Sequence, residues 1–219
     1  MTIKKVIALS ALFVLSTINS KAQFYIGGSL GYTSTKVSNS GNDQSGSSFK
    51  IMPEIGYGLN EKISLGVQAG YAHGYTAFGS LTATDILSAI NIIASGYADV
   101  SEETIKLNSF TITPYIRYNV LGIGKLHLFL EGAAGYTNIK SDGIISIGEQ
   151  PKQEINMDAF EIAVRPGITL DLSKHINMQM KLGSFGFISA KEKESDMKIT
   201  RSGFEMNGEN ILIGLILRL

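Results

Sequence analysis

Three histidines, His73, His127 and His175, are the side chains of this 219-residue chain best suited by type to acid–base or metal chemistry, and they fall on separate segments. That spacing gives a histidine-led metal cluster nothing to build on. The chain has no cysteine, which removes disulfides, zinc-thiolate sites and thiol nucleophiles together. His73 is followed by Ser80, Asp85 and Asp99, a hydroxyl and two carboxylates of the kind a histidine base recruits. A lone histidine is more often an interfacial residue than a base, so the reading carried forward is non-enzymatic. Gly122-Ile123-Gly124-Lys125 lacks both the leading glycine spacing and the Ser or Thr of a phosphate loop, and reads as a turn. No cofactor and no metal are expected.

What remains is a set of isolated charges among small residues. Their meaning depends on the elements that carry them, and those elements declare themselves by alternation. From Ile63 to Tyr75, apolar Ile63, Leu65, Val67, Ala69, Tyr71 and Tyr75 alternate with Ser64, Gly66, Gln68, Gly70, Ala72 and Gly74. A period of two marks a strand with one apolar face. The same reading fits Phe24 to Ser34, Phe49 to Leu59, Phe110 to Val120, Leu126 to Thr137, Phe160 to Asp171, Ile176 to Ser189 and Phe204 to Leu219, which makes eight strands. Their connections alternate too. Residues 60–62, 121–125 and 172–175 are tight turns, whereas 35–48, 76–105, 138–157 and 190–203 are long and polar. Short turns on one side and long loops on the other describe a meander of antiparallel strands closed into a barrel. Pro53, Pro114 and Pro166 recur at matching apolar positions inside three strands, where a local bulge or kink is expected to absorb them.

Composition narrows the class. Nineteen basic residues balance nineteen acidic ones, so no basic stripe exists for a nucleic-acid backbone. Residues 1–22 read as a cleaved signal peptide: Lys4 and Lys5, an apolar run from Val6 to Leu15, then Ser20-Lys21-Ala22. Cleavage after Ala22 leaves residues 23–219 as one barrel domain, with sixteen basic against nineteen acidic residues. Beyond it, the longest apolar stretch is Ile211 to Leu217, interrupted by Gly214, too short for a membrane helix.

The two strand faces decide the solvent. A soluble barrel would bury the apolar set and expose Lys, Glu and Thr, yet the polar set here is mostly Gly, Ala and Ser, which suits a narrow interior filled with side chains. Aromatics on the apolar face sit near strand ends: Tyr32, Phe49, Tyr71, Tyr75, Phe110, Tyr136, Phe160 and Phe204 at the loop end, Phe24, Tyr57 and Tyr118 at the turn end. Two such girdles mark bilayer interfaces, so lipid is placed outside. The inward charges then become the candidate site. Glu54, Gln68, Arg117, Glu131, Arg165 and Lys181 fall roughly five to eight residues from the short turns along six consecutive strands. Glu161 stands higher, and Arg218 at the end of the last strand. Charges confined in such a space are expected to pair, forming a polar layer that plugs the lumen. The alternative is a partly open lumen that acts as a narrow channel for small solutes.

With its signal segment, Gly-x-x-x-Gly-Tyr and Pro-x-Ile-x-Tyr hairpins and closing strand Ile211 to Leu219, the chain resembles the small eight-stranded outer-membrane β-barrel family of Gram-negative envelopes, often called porin-like. The resemblance implies an all-β, up-and-down antiparallel transmembrane barrel in the bacterial outer membrane. It implies contact with outer-membrane lipid and with the barrel-assembly machinery during insertion. Family members usually end in an aromatic residue, whereas this chain ends in Leu219. Some small barrels act on lipids or peptides through a rim histidine, which keeps a lipid-modifying enzyme with His73 as a second alternative. The main expectation is a monomeric structural protein, or one whose external loops meet an unknown surface ligand. In the second loop, Ile86, Leu87, Ile90 and Ile93 stand at helical spacing within Thr84 to Ser95, which predicts a short amphipathic helix for a partner or for the barrel rim. Lys191-Glu192-Lys193-Glu194 reads as a solvated charge alternation.

Overall fold

The computed structural model describes residues 23–39, 42–74, 77–78, 106–142, 155–193, 197–206 and 211–219. Alternation over these segments yields ten strands in chain order: β1 (Gln23–Asn39), β2 (Asn42–Gly58), β3 (Ile63–Gly74), β4 (Lys106–Ile123), β5 (Leu126–Asp142), β6 (Asn156–Asp171), β7 (Ile176–Leu182), β8 (Ser184–Glu192), β9 (Lys198–Glu205) and β10 (Ile211–Arg218). All pairings are antiparallel. Neighbours pair in sequence from β1 to β7, β7 pairs with β10, and β10 pairs with β1, which closes the ring. The barrel therefore has eight staves. β7 and β8 form the seventh, both lying against β6 and divided at Gly183, whose φ of 79° is a backbone conformation glycine adopts without strain. β9, paired to β8, and β10, paired to β7, form the eighth.

Local chemistry fixes the short turns. The Asn60 side-chain oxygen accepts hydrogen bonds from the Lys62 and Ile63 amides, both at 2.8 Å, and the Ser173 hydroxyl accepts from the His175 and Ile176 amides at 3.2 and 3.1 Å. Between β4 and β5 the connection tightens to Gly124-Lys125, with Gly124 at φ 61°. The other side corrects one expectation. The segment 35–48 does not begin a long loop: β1 and β2 stay in register to Asn39 opposite Asn42. Ladder hydrogen bonds belong to the backbone, so a Ser-, Gly- and Asn-rich sequence extends a hairpin once its root is aligned. β5, β6, β8 and β9 likewise reach into segments that read as loops.

The prolines correct another. Ile51 pairs with Tyr71 and Glu54 with Gln68, the same register on both sides of Pro53, and Ile112 with Tyr136 and Tyr115 with Ala133 do the same around Pro114. Two ladder pairs lapse toward the following strand, where the missing N–H would have pointed, and no bulge forms. Only at Pro166 does the register shift, from Val164 opposite Phe185 to Gly167 opposite Lys181, across Gly183.

The molecule is inverted relative to a water-soluble barrel. Small and polar residues face the lumen, and the apolar set faces out over most of the circumference, with Phe24 59% exposed and Tyr32 71%. The outward aromatics form cross-strand pairs: Phe24 with Tyr57 near the turns, then Tyr32 with Phe49, Tyr71 with Phe110, Tyr136 with Phe160 and Phe185 with Phe204 near the far ends. An apolar band between two aromatic rows is the surface a bilayer covers. Tyr75, residues 1–22 and the segment holding Ile86, Leu87, Ile90 and Ile93 lie outside the described residues.

Candidate functional site

The buried charges meet across the lumen. Glu54 on β2 and Glu131 on β5 are the acceptors, with Arg117 on β4 and Lys181 on β7 between them. The Arg117 Nη2 lies 2.7 Å from Glu131 and 3.4 Å from Glu54, and the Lys181 Nζ lies 3.2 and 3.5 Å from the same two carboxylates. Gln68 on β3 donates to both, at 3.1 Å to Glu54 and 3.0 Å to Glu131. Arg165 on β6 stands 3.8 Å from Glu131 and 2.9 Å from Glu161, four residues before it on the same strand. Among the described residues, three acids and three bases thus join in this one network. Arg218 stands apart, 42% exposed at the turn end and 3.9 Å from Asp171. The knitting is incomplete: Gln68 Oε1, Arg117 Nε and Arg165 Nη1 are buried without a hydrogen-bond partner.

Register explains why these groups converge. Arg117 and Glu131 are cross-strand partners, as are Glu131 and Arg165, and Glu54 and Gln68. Lys181 comes from β7 and reaches Glu54 across the interior. Burial at such depth is tolerated because each charge has an opposite partner at contact distance.

Sequence reading missed the residues around this network. Gln179 on β7 donates to Glu54 at 2.6 Å and to Ser29 at 3.1 Å. Three aromatics turn inward: Tyr25 and Tyr115, whose hydroxyls are 2.8 Å apart, and Phe129. Each lies over a glycine directly across the ladder, Tyr25 on Gly56, Tyr115 on Gly66 and Phe129 on Gly167, where a Cβ would strike the ring. Arg117 in turn sits over the Phe129 and Tyr115 rings, at 4.5 and 5.1 Å from their centroids. The signal available in the sequence was an aromatic out of phase with the apolar face.

Beyond the charges, toward the long loops, the lumen changes character. The Thr137 hydroxyl donates to Thr111 at 2.8 Å, and further out the inward set becomes apolar. Leu107, Ile139, Ile155, Met157, Ile188 and Met197 pack with Ala77; Phe78 packs with Met52, Ala72 and Leu212, its ring 6.0 Å from the Lys50 Nζ. Residues 77–78, just past β3, are therefore inside the barrel mouth. Gly70 makes room, since a Cβ there would stand 2.6 Å from the Phe78 ring.

The histidines lie elsewhere. His73 is on the outward face of β3, its Nδ1 2.8 Å from the Asn108 side-chain oxygen, which also accepts from the Tyr71 hydroxyl at 2.8 Å. Ser80, Asp85 and Asp99 lie outside the described residues. His127 pairs with Asp171 at 3.0 Å near the turn end, and His175 is in the β6–β7 turn. Among the described residues, no group of three potential metal ligands comes together.

Residues 6–213 match the family described as outer membrane protein beta-barrel domain. Among solved structures, the chain is similar to Neisserial surface protein A, at 13% identity over 91% of this chain and 100% of that one, with a TM-score of 0.50. It is also similar to a major outer membrane protein of Thermus thermophilus, at 13% identity over 91% and 100% of the two chains and a TM-score of 0.45. The N-terminal β-barrel domain of Pseudomonas aeruginosa OprF aligns at 10% identity over 91% and 100%, with a TM-score of 0.41. No curated protein matches the sequence.

Proposed function

Because the chain belongs to the outer membrane protein beta-barrel domain family, and its place is the bacterial outer membrane, we propose that it is a non-enzymatic envelope barrel whose lumen is closed by ion pairs. The observation that carries this reading is the joint clamp of Arg117 and Lys181 on Glu54 and Glu131 in the middle of the interior. An eight-stranded barrel is only wide enough for its own side chains, and here those side chains are long and mutually attracted. The apolar packing of Ala77 and Phe78 in the mouth adds a second obstruction. With the interior occupied, contact with the outside belongs to the external segments, which carry any interaction with a surface ligand. Residues 1–22 direct export and are removed after Ala22. The barrel works as a monomer, inserted by the barrel-assembly machinery. His73 serves as an interfacial residue, bonded to Asn108 on the lipid side.

Proteoliposome swelling tests the reading. Vesicles carrying the refolded protein are expected to swell in small sugars and amino acids no faster than empty vesicles. Swelling that scales inversely with solute size would replace the closed scaffold by the narrow channel.

A further inference from the structure

The eighth stave is not closed along its whole length. β1 pairs with β10 from Tyr25 opposite Arg218 to Leu30 opposite Ile213; beyond that, among the described residues, it pairs with β2 alone. β9 carries the stave on toward the loops, yet it pairs with β8 alone and is the edge of the sheet. Two strand edges therefore border the same stretch of wall. They start at the outer aromatics, Tyr32 on β1 and Phe204 on β9, both exposed. Backbone groups left open beyond that row meet water and headgroups, where they can be hydrogen-bonded, and not hydrocarbon, where they could not.

Behind this edge the inward phase is not sealed. Arg201, Gly203 and Glu205 lie across the ladder from Ile188, Gly186 and Ser184, on the lumen side of β8. The Arg201 Nε donates to Glu205 at 2.8 Å, and the two side chains are 43% and 17% exposed. Deeper in, Glu161 is 10% exposed and holds Arg165, which leads to the fully buried Glu131. Exposure thus falls step by step from the β9 edge to the charged layer. A cavity follows the same line, bordered by Glu161, Ser184, Ile188, Arg201, Ser202 and Glu205. Gly203 also borders it, and a Cβ there would meet nothing within 4 Å. The direct way in is shut, since Ala190 and Met157 in the apolar mouth have no exposed surface. At the inner end stands Arg165, whose buried Nη1 has no hydrogen-bond partner in the protein, a group that an arriving water molecule satisfies.

We propose that the wall between β9 and β1 is a side entry, through which water and small hydrophilic molecules reach Glu161 and Arg165 from the loop side and stop at the charged layer. The chemistry of the rim selects this class. Beyond Phe204 the outward residues of β9 are Thr200 and Ser202, and the cavity behind them balances Arg201 against Glu205 and Arg165 against Glu161. An acyl chain placed there would set these charges against carbon, at the cost of their hydration. The proposal rests on the closed-lumen reading, because the same entry above an open lumen would be one arm of a channel.

The chain has no cysteine, so single-cysteine variants report access without background. S184C and A190C are refolded into phosphatidylcholine nanodiscs and treated with a trimethylammonium methanethiosulfonate reagent, with labelling followed by intact-protein mass spectrometry. A heat-modifiability gel confirms that each variant has formed the barrel. S184C, in the cavity, is expected to react at least tenfold faster than A190C, in the sealed mouth. Glu205 lies directly across the ladder from Ser184. The double variant S184C/E205W, with a ring on the β9 side of the cavity, is therefore expected to react at least tenfold more slowly than S184C. Labelling of S184C no faster than A190C, or undiminished by E205W, overturns the proposal. Swelling of vesicles that carry S184C is read separately: it would contradict the closed lumen, and with it the claim that the entry ends at the charged layer, whatever the labelling rates.

Discussion

Arg117 is the residue on which the interior most depends, since it touches both Glu54 and Glu131 and rests on two aromatic rings. Removing it leaves two buried carboxylates with Lys181 as their principal counter-charge. Arg117→Gln is expected to destabilise the barrel by about 3 kcal/mol, the scale for breaking a buried pair on one side. The double variant Arg117→Gln with Glu131→Gln should recover most of that loss. Denaturant unfolding in lipid vesicles measures both; a single variant as stable as the parent would mean the layer is solvated and loosely held. The charged members of this layer were legible because isolated charges stood at similar distances from the turns. Gln179, Tyr25 and Phe129 were not. Each makes sense only once the register is known, because an inward aromatic needs a glycine across the ladder, and that partner lies tens of residues away in sequence.

At the level of elements, alternation identified every stave that crosses the apolar band, because a residue facing lipid and a residue facing a packed lumen differ in kind at each step. It lost the strands where that contrast fades. Beyond the aromatic row, both faces of the β1–β2 hairpin meet polar surroundings, and hydrogen bonding alone carries the strands to Asn39 and Asn42. Inward Ile139 and Met157 fell in a segment read as a loop, although with Leu107 they line an apolar mouth. The prolines show that a ladder tolerates a missing donor without changing register. Supplying the donor should therefore strengthen it. Pro114→Val is expected to add a hydrogen bond between β4 and β5, worth about 1 kcal/mol, and to slow amide exchange along that pair. A loss of stability would show that the proline ring, exposed toward lipid, is itself favoured there.

For the whole molecule, the apolar wall outside and the charged network inside are two consequences of one phase choice, repeated in every stave. That choice was legible from composition, since Gly, Ala and Ser suit a narrow interior and large aliphatics suit lipid. The mouth was not legible, because Ala77 and Phe78 enter it from a segment with no strand pattern. The charged layer and the apolar mouth together are the basis of the proposed closed lumen. Single-channel recording in a planar bilayer tests it most directly, with a heat-modifiability gel confirming that the barrel has formed. Stable silence at the resolution of single ions is the predicted result; regular, reproducible openings would contradict it and make Glu54, Arg117, Glu131, Arg165 and Lys181 the walls of a selectivity filter.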